Sequence, residues 1–186
     1  MWKFISQSLS REDLYQVFNN FLPTLDGKTV LDVGSRLGAG LYGAYVYTDA
    51  EKIIGLEINK ELCELQKNII CKYKMDKRVE VMNKRISEVP DVLKTTDVVV
   101  IVNIIEDYPT QAEQNNVWTL LKENLKKNTY IVSTYTLSSY FTKLNSTINV
   151  DDWVKQAKIQ EMGGDFFNKE AQESDEDCEL FCYQVL

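Results

Sequence analysis

A chain of 186 residues, 44% apolar and 26% charged, has the length and composition of one globular domain with a substantial core. A net charge of −7 argues against binding nucleic acid through its phosphates. No apolar run approaches the roughly 20 residues needed to span a bilayer. Histidine is absent, which removes the commonest general base and the usual zinc partner of cysteine. Cys63, Cys71, Cys178 and Cys182 are therefore expected to be free thiols, with no metal site. The opening residues MWKFISQSLSRED carry no apolar signal-peptide core. A cytoplasmic location is expected, with the nucleus open.

Ser10 to Asp13 reads as a capping box, and Leu14, Val17, Phe18 and Phe21 then form one helical apolar stripe. Pro23 and Asp26-Gly27 end that helix. Thr29 to Val33 is a short buried strand, followed by a glycine-punctuated turn through Gly34 and Gly38 and a helix over Ala39 to Tyr47. Lys52 to Ile58 is a second strand carrying Glu57 near its end. Asn59 caps a helix whose apolar face is expected to be Leu62, Leu65, Ile69 and Tyr73. Arg78 to Met82 is a third strand, and a short helical or turn region around Ser87 to Leu93 is broken by Pro90. The strongest strand is Asp97 to Ile105. Thr110 to Glu113 is a second capping box, opening a helix with Val117, Leu120, Leu121 and Leu125 inward. Tyr130 to Tyr135 is a fifth strand and Ser138 to Leu144 a short helix. Trp153 to Ile159 and Glu179 to Leu186 read as strands joined by an acidic stretch, Glu161 to Glu179. That stretch, and the basic run from Lys67 to Arg85, read as solvated surface.

Strands alternating with helices predict a doubly wound, mostly parallel Rossmann-like α/β sheet, here ending in an antiparallel strand pair. One domain is expected over residues 1–186. Residues 1–28 are the lead-in, 29–135 the ligand-binding core and 136–186 the edge.

A tight turn between a strand and a helix N-terminus is a common seat for an anionic or nucleotide-like ligand. Gly38-Ala39-Gly40-Leu41-Tyr42-Gly43 spells G-x-G-x-x-G, but it begins five residues beyond Val33 and so falls within the helix. The alignment beginning at Val30-Leu31-Asp32-Val33-Gly34-Ser35-Arg36-Leu37-Gly38 resembles motif I of the class I S-adenosylmethionine-dependent methyltransferases. Glu57 matches the family's acidic residue for the ribose hydroxyls, and Ile58 its neighbour on the adenine. Asp97 to Asn103 matches the fourth strand, whose end borders the transferred methyl. The reversed last strand is also similar. The resemblance implies S-adenosyl-L-methionine as cofactor and Asp32, Gly34, Ser35, Arg36, Gly38, Glu57, Ile58, Asn83 and Asn103 as its binding residues, with no catalytic residue assigned.

Two positions depart from the family. Arg36 stands where glycine is usual, and either pairs with the cofactor carboxylate, points outward or obstructs the pocket. Lys84 stands where an adenine-contacting aspartate is common, and the amide oxygen of Asn83 is a partial substitute. The region after the fourth strand lacks the Asn/Asp-Pro-Pro-aromatic motif of amino-methylating enzymes. Asn103, Glu106 and Tyr108 are candidates for the acceptor side, because strand ends form the ligand crevice. An acidic chain attracts a basic protein, and a small-molecule acceptor is equally open. The expected activity is methyl transfer. The alternatives are a non-catalytic methyltransferase-like binding or regulatory protein and, third, an NAD-binding enzyme using Gly38 to Gly43.

Overall fold

The computed structural model describes residues 9–102, 105, 108–157 and 180–186. Five parallel strands, β1 (Thr29–Val33), β2 (Lys52–Leu56), β3 (Val79–Met82), β4 (Val98–Ile101) and β5 (Tyr130–Ser133), are joined by β6 (Val154–Gln156) and β7 (Phe181–Val185). The sheet order is β3-β2-β1-β4-β5-β7-β6, with β7 antiparallel to both of its neighbours. The last strand therefore inserts between β5 and β6 and leaves the short β6 at the edge.

Helices α1 (Arg11–Gln16), α2 (Ala39–Tyr47) and α3 (Lys60–Lys72) cover one face, and α4 (Pro90–Thr95), α5 (Gln111–Asn124) and α6 (Leu137–Lys143) the other. Successive residues of a strand point to opposite faces, so a central strand must be apolar on both. β4 satisfies this: Val98 and Val100 join the core under α1 to α3, and Val99 and Ile101 the core under α4 to α6. The second core is rich in aromatic rings. Trp118, wholly buried, meets Phe141 and Trp153 edge-on at centroid distances of 5.2 and 6.3 Å.

Both capping boxes form, at Ser10/Asp13 and at Thr110/Glu113. The stripe Leu14, Val17, Phe18, Phe21 is buried, but the helix widens to a π-helical turn over Val17–Phe21. There the Asn19 side chain donates to the Tyr15 carbonyl and competes with the backbone ladder. Pro90 does not break a helix; it begins α4, where a missing N–H costs nothing. The inward face of α3 is also displaced from the expected one. Cys63, Gln66 and Ile70 are buried, while Leu65 and Tyr73 are 43% and 62% exposed. Strand β4 is shorter than the expected Asp97 to Ile105, chiefly at its far end, where Val102 and Ile105 are not in it; at its start the Asp97 backbone still bonds Thr29 and Tyr130, while its carboxylate takes the Thr29 N–H and Lys126. Of the expected last two strands, residues 158, 159 and 179 lie outside the described residues, as do Cys178 and the acidic stretch. Cys63, Cys71 and Cys182 are free thiols. Among the described residues no helix is long and apolar enough to cross a membrane.

Candidate functional site

From β1 the chain runs outward one way through β2 and β3, and it returns beside β1 as β4. The connections leave β1 and β4 in opposite directions, which opens a crevice at their C-terminal ends, the usual ligand position in such sheets. Gly34, Ser35 and Arg36 lie there, at the end of β1. The N–H groups of Gly34 and Ser35 both donate to the Leu56 carbonyl, at 2.8 and 2.9 Å, which ties the turn to β2. The Gly38 N–H closes it on the Ser35 carbonyl at 2.6 Å.

Three alternate residues of this turn take left-handed backbone: Gly34 (φ 75°), Arg36 (φ 48°) and Gly38 (φ 88°). A Cβ on Gly38 would also meet the Tyr42 ring at 2.6 Å. Glycine is the residue that tolerates both demands. Gly38 is the N-cap of α2, and Gly40 and Gly43 lie inside that helix. The G-x-G-x-x-G string is thus a helix-packing feature. Gly40 makes room for the Asp32 carboxylate, whose Cγ would lie 2.9 Å from an added Cβ, and Gly43 makes room for Leu14.

Glu57, 5% exposed just beyond β2, holds two loops together. One carboxylate oxygen accepts the Arg36 N–H at 3.0 Å, and the other accepts the Asn59 N–H at 2.7 Å. Asn59 in turn caps α3. The Asn83 amide nitrogen donates to the carbonyls of Glu57 and Ile58, both at 2.9 Å, so its oxygen is the end left to accept. Ile58 is 62% exposed beside these groups. Lys84 is exposed on the adjoining turn.

Asp32 is buried, and burial, helped by the negative Glu57 and opposed by Arg36, pushes its carboxyl up to about 7. The Tyr42 hydroxyl, buried against Gly38, has no hydrogen-bond partner among the described residues. Asp32, Gly34, Ser35, Arg36, Gly38, Glu57, Ile58 and Asn83 thus share the C-terminal end of the sheet. Asn103 and Glu106 lie outside the described residues, and Tyr108 is half-buried with its carbonyl bonded by Gln114.

Sequence reasoning missed Gln66 and Gly55. Gln66 reaches from α3 to accept the Ser35 hydroxyl and donate to the Arg36 carbonyl. Gly55 in β2 leaves space for the Ser35 Oγ, 2.8 Å from where its Cβ would stand. The signal for Gln66 was a polar residue in register with Cys63 and Ile70 on one helical stripe. Two strands further along, a groove of about 290 Å³ opens at the end of β5, lined by Thr134, Tyr135, Tyr140, Lys143 and Phe181. The Tyr135 and Tyr140 rings stack there at 4.6 Å.

The sheet order, the reversed β7 and the crevice at the ends of β1 and β4 define the class I methyltransferase type of Rossmann-like fold. No protein-family model matches the chain, and no curated protein matches it. Solved structures do. An RNA methyltransferase of Salinibacter ruber, crystallised with S-adenosyl-L-homocysteine, superposes with a TM-score of 0.52 at 18% identity, over 66% of this chain and 72% of that one. The YcgJ protein of Bacillus subtilis gives 0.55 at 14% identity, over 67% of this chain. PKMT2 of Rickettsia typhi, in complex with AdoHcy, gives 0.52 at 22% identity, over 66%. The chain spans 50% of YcgJ and 23% of PKMT2.

Proposed function

We propose that this protein binds S-adenosyl-L-methionine and transfers its methyl group to an acceptor. The observation that carries the reading is the meeting of the left-handed Gly34–Gly38 turn with the Glu57 carboxylate at one end of the sheet. The chemistry of the residues suits the cofactor. The tightly turned backbone admits close approach at Gly34 and Gly38. Glu57 can accept ribose hydroxyls, since a carboxylate offers about four lone-pair sites and two are in use. Ile58 offers an apolar surface to the adenine, Asn83 Oδ1 an acceptor for its amine, and the orphaned Tyr42 hydroxyl a donor beside Gly38. Asp32, buried against Gly40 in the first turn of α2, is the carboxylate that would meet the cationic end of the ligand. The solved relatives holding S-adenosylhomocysteine or AdoHcy support the choice of cofactor.

When bound, the cofactor supplies a methyl group activated on sulfonium. The chain's own part is to hold the reactants in line and exclude water, a contribution from proximity and orientation that needs no covalent intermediate and no histidine. The acceptor side is assigned to the groove at the end of β5. Strands lie about 4.8 Å apart, so this groove is about 10 Å from the turn after β1, with β4 between them. A basic protein segment and a small molecule are the two acceptor classes. The compartment expected is the cytoplasm.

Titration calorimetry with S-adenosylhomocysteine tests the reading. Binding by the wild type, with about a tenfold or greater loss in Glu57→Gln, is expected from removing a charged acceptor. No heat at millimolar ligand refutes it. The engagement of both Glu57 oxygens by backbone N–H groups motivates a second reading, a non-catalytic methyltransferase-like partner protein. That reading predicts the same fold with no cofactor affinity, and Glu57→Gln would then lower stability alone.

A further inference from the structure

Gln66 is wholly buried, on a helix whose other inward residues are Cys63 and Ile70. An amide side chain is costly to bury unless both its ends are bonded. Here both are, and to neighbouring residues of one turn. Oε1 accepts the Ser35 hydroxyl at 2.9 Å, and Nε2 donates to the Arg36 carbonyl at 2.8 Å. On the other side of the same Cα, the Arg36 N–H donates to Glu57 Oε2 at 3.0 Å. The peptide groups flanking Arg36 are therefore both held from outside the turn, one from α3 and one from the end of β2. Between them Arg36 takes φ 48°, a conformation that every L-residue with a Cβ adopts at a cost and that glycine adopts freely.

We propose that Gln66 is a positioning residue that holds Arg36 in left-handed backbone, and so stands in for a glycine at the centre of the cofactor turn. A glycine would reach this geometry by permissiveness. Here tertiary hydrogen bonds impose it, and the position gains a side chain. The arginine brings a cation to the neighbourhood of two buried carboxylates, Asp32 and Glu57, where a glycine would bring none. Gly55 is part of the same device, because a side chain there would displace the Ser35 hydroxyl that orients Gln66. For its effect on ligand binding the proposal rests on the cofactor reading above; for the backbone clamp it does not.

The test is a double-mutant cycle of Gln66→Met and Arg36→Gly, read by urea unfolding without ligand and by S-adenosylhomocysteine affinity. With Arg36 present, Gln66→Met is expected to weaken binding about tenfold; with glycine at 36 the same change should cost about twofold or less, the coupling typical of residues in contact. The urea midpoint should show the same inequality. Equal losses in both backgrounds, in midpoint and in affinity, overturn the clamp even where the protein binds the ligand well. Coupled midpoints in a protein that binds no ligand uphold the clamp and remove the cofactor reading instead. If Gln66→Met does not fold, Ser35→Ala, which frees one end of the amide, replaces it in the cycle with the same expected inequality.

Discussion

Asp32 offers the sharpest stability experiment. Its folded carboxyl lies at about 7 against an ordinary 3.8, chiefly because burial disfavours the charged form. A carboxyl raised in the folded state binds its proton more tightly there than in the unfolded chain. Stability from this group is therefore complete below about pH 4 and is lost as pH rises toward 7. The rise from 3.8 to about 7, at about 1.36 kcal/mol for each step of one pH unit, amounts to about 4 kcal/mol in all, more than half of it between pH 5 and pH 8. Asp32→Asn keeps the shape of the protonated acid and cannot ionise. Urea unfolding of both proteins without ligand, at half-unit steps from pH 5 to 8.5, should show the wild type losing stability relative to the variant, with the difference levelling above pH 8. The chain contains no histidine to titrate within this window, and the remaining titrating groups are common to both proteins, so the difference between the curves isolates Asp32. Two parallel curves across this range would refute the assignment of a buried, proton-holding carboxyl at the end of β1.

Further substitutions probe the packing around the turn and the sheet. Gly40→Ala drives a methyl into the Asp32 carboxylate and should cost about 1–3 kcal/mol by urea unfolding, together with a loss of S-adenosylhomocysteine affinity. Gly43→Ala meets the Leu14 side chain, Cδ2 at 2.9 Å and Cβ at 3.2 Å, rather than a carboxylate, and should cost less than Gly40→Ala while sparing affinity. Trp118→Ala empties the centre of the aromatic cluster and should cost about 3–5 kcal/mol, read as a lowered urea midpoint at unchanged slope. Burial tends to raise the Asp97 carboxyl, but the hydrogen bonds from Lys126 and the Thr29 N–H prevail and hold it below its usual value. Its contribution is present above the ordinary carboxylate range and disappears as pH falls through the depressed value. The stability gap to Asp97→Asn, about 1–2 kcal/mol at pH 7, should therefore narrow at low pH.

The strand ladder was legible because a parallel sheet covered on both faces demands continuous apolar runs, and Val98 to Ile101 is such a run. Capping boxes were legible because their chemistry is local, confined to four residues. What escaped was set by contacts between distant residues. The face of α3 was misread because Gln66 counts as polar in any periodicity, while its burial follows from partners at Ser35 and Arg36. The carboxylate of Asp97 is bound by the Thr29 N–H, 68 residues away, a contact that no local pattern shows. In the site, Glu57 was singled out by a family resemblance, and the glycine turn after β1 was legible from its spacing. The commitment of both Glu57 oxygens to backbone N–H groups was not, because it depends on the shape of two loops that only the fold brings together.

The Asp97 cluster occupies the opposite end of β1 from the crevice. Lys126 and the Thr29 N–H meet Asp97 there at 2.9 Å each, with Lys28 at 3.8 Å. Five residues of extended chain put about 16 Å between this anchor and the turn after Val33, farther than energetic coupling between unlinked sites ordinarily extends. The anchor and the crevice thus lie at opposite ends of the same strands. Substitutions that re-aim the turn, the groove or the residue at 36 draw on a reserve of stability that the anchor keeps intact. The loops at the crevice end can therefore be exchanged by an engineer while the base of the sheet stays fixed.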